Sequence, residues 1–160
     1  MEAVTCLHLF LLGLLINSFS LQAVEGKTCS RGWIHYGNKC YGVFTEKRSW
    51  PDAEVACQSY GRKGHLASFL SKQENAVLAK YIIANYPDVH MVWIGMHAPK
   101  DVGKWKWIDL SPPNFKPWNV GEPTNTLGQL CVYMSITSGF MKWSDGDCKT
   151  RMSFVCQTVL

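Results

Sequence analysis

Residues 49–68 read SWPDAEVACQSYGRKGHLAS, and this stretch decides what kind of fold the chain adopts. Ser49 stands three residues before Asp52, the spacing of a capping box that opens a helix. The pattern predicts a helix running toward Tyr60, with Gly61 as its stop and Ala53, Ala56, Cys57 and Tyr60 on one face. His65–Phe69 then reads as a short strand. Helix, turn and strand follow one another closely, so the domain mixes both element types.

The pattern continues outward on both sides. Ser71-Lys72-Gln73-Glu74 is a second capping box, and its helix carries Val77, Leu78, Tyr81 and Ile82 on one face before ending ahead of Pro87. Upstream, Trp33–Tyr36 and Cys40–Phe44 read as strands joined by Gly37-Asn38, a hairpin turn pair. Downstream, Met91–Met96 and Trp105–Ile108 read as strands, as do Cys131–Met134, Phe140–Trp143 and Phe154–Gln157. Between Asp109 and Leu130 regular patterns stop, and Pro112, Pro113, Pro117, Pro123, Gly121 and Gly128 take over. An irregular segment of that length inside a compact domain is expected to be a binding loop. Two helices followed by a long loop and several strands give an α+β domain.

Composition sets the outer limits. With 160 residues, 47% hydrophobic and 18% charged, the chain suits one domain with a real core and excludes a disordered chain. Leu7–Ile16 is an apolar run too short to cross a bilayer, followed by Asn17, Ser18 and Ser20. It reads as a secretory signal within residues 1–26, cleaved somewhere between 20 and 26, leaving residues 27–160 as a secreted domain. Its removal takes away Glu2 and Glu25 and no base. The formal charge therefore rises from +4 to +6, with 16 bases against 10 acids. It also removes Cys6, which leaves Cys29, Cys40, Cys57, Cys131, Cys148 and Cys156. An even set in a secreted chain implies three disulfides, no free thiol and no interchain disulfide. Six cysteines allow fifteen connectivities, and spacing alone does not choose among them.

The signatures of zinc and serine hydrolases are absent from the sequence, so a non-enzyme is expected. The basic charge is spread over Arg62, Lys63, Lys100, Lys104, Lys106 and Lys116. It either solubilises the surface or draws in sulfated glycans, anionic microbial surfaces or mineral. Neither a nucleic-acid partner nor a membrane span is expected.

Several spaced groups share a pattern: Cys29 with Trp33, Cys40-Tyr41, Trp50 with Ala53-Glu54 and Cys57, and His65-Leu66-Ala67-Ser68. Trp93-Ile94-Gly95-Met96, Trp105 with Trp107, Glu122-Pro123-Thr124, Cys131, Trp143-Ser144-Asp145, Cys148 and Phe154 with Cys156 complete it. Across residues 29–158 the chain resembles the C-type lectin-like domain in its long form. Within that family it is similar to small secreted vertebrate lectins, the regenerating-islet-derived group first and the venom lectins next. The resemblance implies two helices, short antiparallel sheets, a long loop region and the pairing Cys29–Cys40, Cys57–Cys156 and Cys131–Cys148.

The resemblance also implies where a ligand sits. In the family a Ca²⁺ ion in the long loop holds sugar hydroxyls, and such hard cations take six to eight oxygens. The matching positions here are Glu122, Thr124, Gln129, Ser144 and Asp145, with Pro123 expected in the cis form. Glu122 and Asp145 keep the family's residues, while Thr124, Gln129 and Ser144 stand in place of Asn, Glu and Asn. Glu122, Gln129 and Asp145 are the metal-ligand candidates of this set. The loss of a carboxylate and two amide carbonyls predicts weakened or absent calcium binding. No cofactor is required on this reading, and calcium has only a degenerate site. Trp118 is expected to be the exposed aromatic on which a sugar face could stack, with Trp105, Trp107 and Trp143 in the core.

Two functions from different classes follow. The first is a secreted carbohydrate-binding lectin, mannose-type on the strength of Glu122-Pro123-Thr124, whose partners are glycans or glycoproteins. The alternative is an interaction protein on the same fold that binds a receptor, microbial surface, matrix or mineral instead of sugar.

Overall fold

The computed structural model describes residues 28–98 and 103–160; the proposed signal segment and Lys100 lie outside them. The chain opens with β1 (Ile34–Tyr36) and β2 (Lys39–Arg48), an antiparallel hairpin turning through Gly37-Asn38. Helix α1 (Trp50–Gln58) follows. The Ser49 hydroxyl caps it by accepting from the Asp52 backbone N–H. The helix stops earlier than its sequence pattern suggested, at the Ser59 cap. Ala53 and Cys57 are fully buried, but Tyr60 lies beyond the helix, largely exposed and stacked on Phe44. Strand β3 spans only His65–Leu66. Its expected continuation leaves the ladder, although Ala67 still donates to Val155 and accepts from Gly95.

Helix α2 (Lys72–Asn85) is capped by Ser71, which accepts from the Glu74 N–H at 3.1 Å. Glu74 reaches back to the Leu70 N–H at 2.7 Å, one residue before the cap, so the expected capping pair forms with a small offset. Leu78 and Ile82 are buried, and Val77 and Tyr81 flank them. Strands β4 (Met91–His97), β5 (Lys106–Trp107), β6 (Gln129–Ser135), β7 (Trp143–Asp147) and β8 (Met152–Val159) complete the fold.

All the strands belong to one hydrogen-bonded sheet in the order β1-β2-β8-β4-β6-β7, with β3 on β8 and β5 on β4. The strand pairings are antiparallel except β4–β8, which is parallel in the register Val92 to Ser153 and Trp93 to Phe154. Gly95 lets β4 run close against the end of β3, since a Cβ there would sit 2.5 Å from the Leu66 carbonyl oxygen.

Phe140–Trp143 is not a strand. Gly139 and Phe140 both take positive φ in a turn after a short 3-10 segment (Ile136–Ser138), and the ladder begins at Trp143. Phe140 is apolar because it plugs the core, fully buried, and not because it pairs in a sheet.

Two apolar clusters share the sheet. One lies beneath α2 and the long loop, with Phe69, Leu78, Ile82, Ile94, Trp107 and Trp143 at its centre. The other packs α1 through Trp50, Ala53 and Cys57 against Leu66, Trp93 and Phe154. The disulfides are Cys29–Cys40, Cys57–Cys156 and Cys131–Cys148, as the resemblance implied. Cys57–Cys156 joins α1 to β8 across 99 residues, and Cys131–Cys148 holds β6 to the end of β7 beside the loop.

Candidate functional site

The irregular segment leaves β5 and returns in β6. At its start the Asp109 carboxylate accepts from Ser111 N–H at 3.0 Å and Ser111 Oγ at 2.8 Å, a side-chain turn. Midway it docks on β7. Trp143 N–H donates to the Pro117 carbonyl at 3.0 Å, and Asn119 N–H donates to the Trp143 carbonyl at 2.8 Å. This docking corrects the expectation for Trp118. Its indole is half-buried, 5.2 Å from Trp105 and 6.2 Å from Trp143, so it closes the core rather than standing free as a stacking platform. Trp105, Trp107 and Trp143 are core residues as expected. The freely exposed apolar side chains of the loop are Leu110, Val120 and Leu127.

The loop tip and β7 bring Glu122, Thr124, Gln129 and Asp145 together. Glu122-Pro123 is cis. Asp145 is the hub. Its carboxylate accepts from Thr124 N–H, Thr124 Oγ1 and Asn125 N–H, each at 3.0 Å. Thr124 Oγ1 also lies 3.2 Å from Gln129 Oε1 and accepts from Thr126 N–H at 3.3 Å. Glu122 Oε2 accepts a long bond, 3.4 Å, from Asp145 N–H. Ser144 is buried next to Asp145, but its hydroxyl bonds none of these atoms.

The two carboxyls titrate apart. Burial pushes Glu122 up, and hydrogen bonding to Asp145 and its negative charge push the same way. Burial would raise Asp145 too, but bonds from Glu122, Thr124 and Asn125 outweigh it and hold Asp145 below the usual carboxylate range. Glu122 is the member that keeps a proton longer.

Sequence reasoning missed two members. Asn125 takes a left-handed backbone (φ +52°), which asparagine tolerates, and its N–H bonds the hub. Trp105 Nε1 donates to Asn125 Oδ1 at 3.3 Å, tying the loop tip to the core. The signal available was the Asn125-Thr126 pair just after the tripeptide, a composition that favours turns.

This donor set suits a hard dication poorly. Asp145 already spends both oxygens on protein donors, its neighbour Glu122 holds its proton more tightly than an ordinary glutamate, and the Thr124 hydroxyl points its proton into the cluster. Among the described residues no group of three or more His, Cys, Asp or Glu is placed to hold a metal.

Comparison with known proteins matches residues 46–158 to the family model described as the Lectin C-type domain. The chain belongs to the C-type lectin domain family. It is 38% identical to a C-type lectin mannose-binding isoform of Oxyuranus scutellatus, over 91% of this chain and 93% of that one. It is 37% identical to regenerating islet-derived protein 4 of Rattus norvegicus, over 86% and 85%. Both groups that the sequence resembled are therefore among its relatives. Human lithostathine superposes on this lectin domain with a TM-score of 0.78 and 34% identity, covering 82% of this chain and all of that one. The Oxyuranus scutellatus relative is named as a lectin, and none of the three names is that of an enzyme.

Proposed function

We propose that this C-type lectin domain protein is secreted and binds glycans or glycoproteins through the tip of its long loop, without depending on calcium. The observation that carries the reading is the Asp145 hub. Three bonds from Thr124 and Asn125 order the turn that follows Pro123, so the protein's own hydrogen bonds give the tip a defined shape. Glu122 and Gln129 offer polar atoms to sugar hydroxyls beside it. Val120 and Leu127, 98% and 86% exposed, flank the tip and can cover the apolar face of a sugar ring. Preference for mannose-type sugars is supported by Glu122-Pro123-Thr124 and by the named binding of the Oxyuranus scutellatus relative. Secretion is supported by the apolar N-terminal run and the three disulfides. Among the described residues no helix is long and apolar enough to cross a membrane.

A glycan array probed in calcium and again in EDTA tests this. Binding retained in EDTA and lost in Asp145→Ala is the expected result. Binding abolished by EDTA would overturn the calcium-independent reading. No glycan bound in either buffer would favour the interaction-protein alternative.

A further inference from the structure

A cavity lies away from the long-loop tip. It has a volume of about 490 Å³ and sits where β2, β3 and β8 meet the start of the loop. Lys39, Lys63, His65, Leu70, Asp109 and Gln157 are among its walls. The size falls within the range of small-molecule sites, roughly 300–1,000 Å³. In the strand order this is the β2–β8 side of the sheet, while the Asp145 hub stands on β7 at the far edge.

The floor is a buried polar network that the lectin site does not use. Lys39, 8% exposed, donates to the Ser68 carbonyl at 3.1 Å and Ser68 Oγ at 2.9 Å, and lies 3.5 Å from Glu74. Ser68 Oγ donates to Asp109 at 2.6 Å, and Gln157, 2% exposed, donates to Asp109 at 2.7 Å. Burying such a network costs stability unless every member is satisfied, so it fixes a rigid floor. Burial would raise Asp109, but bonds from Ser68, Ser111 and Gln157 hold it below the usual carboxylate range.

The rim is different, because its polar groups are unspent. His65 Nδ1 is held by Glu54 Oε1 at 2.7 Å, and its Nε2 has no hydrogen-bond partner among the described residues. The Asn38 carboxamide, also in the wall, has none among them either. Lys63 stands exposed with no counter-ion among the described residues, in a left-handed backbone (φ +52°) that few non-glycine residues adopt. Its turn is fastened on both sides by Gly64 N–H to the Gly61 carbonyl at 3.1 Å and Val159 N–H to the Arg62 carbonyl at 3.1 Å. Leu70, 42% exposed, supplies an apolar surface. Of the other charges lining the wall, Lys39 is answered by Glu74 and Asp109 by its four hydrogen bonds, and behind His65 the Glu54 carboxylate is answered by His65, Gln58 and the Leu66 N–H.

We propose that this cavity is a second binding site, for an acidic monosaccharide unit carrying one carboxylate on a pyranose ring. Lys63 pairs with the carboxylate, Asn38 and His65 Nε2 bond ring hydroxyls, and Leu70 covers a C–H face. The site is independent of the long-loop reading and stands or falls separately from it.

The test is an amide chemical-shift titration of the disulfide-bonded secreted protein with sodium D-glucuronate, D-glucose and D-glucosamine. Glucuronate is expected to give saturable shifts at Asn38, Lys63, Leu70 and Ser111 and none at Thr124 or Asn125. Lys63 is exposed and has no partner among the described residues, so Lys63→Gln should fold normally and weaken glucuronate about tenfold, the loss of one charged hydrogen bond. Asp145→Ala should leave the titration unchanged. The proposal fails if glucuronate gives no saturable shift up to about 50 mM, a range that captures millimolar affinities. It also fails if glucose or glucosamine titrates the same amides equally well, or if Lys63→Gln binds like the parent.

Discussion

Replacing Asp145 by alanine probes the loop most sharply. The substitution removes the acceptor for three bonds of 3.0 Å, from Thr124 N–H, Thr124 Oγ1 and Asn125 N–H. A hydrogen bond to a charged acceptor contributes about 1.5–3 kcal/mol when both partners are buried. Thr124 and Asn125 are exposed, so their freed donors rehydrate, and about 1 kcal/mol per bond is the fitting figure. Relief of the repulsion between Asp145 and Glu122 offsets part of the sum. The net expected cost is about 2–3 kcal/mol, or a fall in Tm of roughly 6–15 °C for a domain of this size. Thermal unfolding followed by circular dichroism in EDTA reads it directly. Thr124→Val, which deletes one of the three donors and keeps the side-chain shape, should cost about 1 kcal/mol. An Asp145→Ala protein that melts with the parent in EDTA would refute the hub. So would a parent stabilised by micromolar calcium, because the loop would then be waiting for an ion.

Other substitutions separate the parts. Glu122→Ala should change stability by less than about 0.5 kcal/mol, since the loss of its 3.4 Å bond and of its side-chain contact with Asp145 is offset by removal of a neighbouring acid; a drop beyond 2 kcal/mol in denaturant unfolding would contradict that balance. Removing Cys57 and Cys156 together opens a loop of 99 residues and should cost about 4–5 kcal/mol in the chain-entropy model, seen as lost secretion and a lower urea midpoint. Trp143→Ala should cost roughly 3–5 kcal/mol, because the fully buried indole packs on Trp107 and Phe115 and donates to Asn75 at 2.9 Å. Asp109 has a folded pKa below its unfolded one, so its contribution is present above about pH 4 and lost as pH falls through the folded value. Asp109→Asn should therefore flatten the acid limb of stability against pH, and an unchanged limb would refute the role given to its hydrogen bonds.

The fold was legible because its signals are local or covalent. Ser49 and Ser71 mark the two helix starts by hydrogen bonds made within three residues. What misled were apolar residues whose burial is tertiary. Phe140 looked like a strand residue and is a core plug in a left-handed turn. Trp118 looked free because its surroundings are irregular, yet its partners Trp105 and Trp143 are distant in sequence. The parallel β4–β8 contact was hidden for the same reason, since it joins Val92 to Ser153. At the site, Glu122, Thr124, Gln129 and Asp145 do come together. Ser144 stays outside their hydrogen bonding, and Asn125 enters through its backbone, which side-chain chemistry does not announce.

Amide shift mapping with methyl α-D-mannoside in EDTA would test most directly whether the loop tip recognises sugar without calcium. The expected result is saturable shifts confined to Val120, Thr124, Asn125, Leu127 and Asp145, unchanged when calcium replaces the chelator. Shifts that appear only with calcium, or that map to other surfaces, would contradict it.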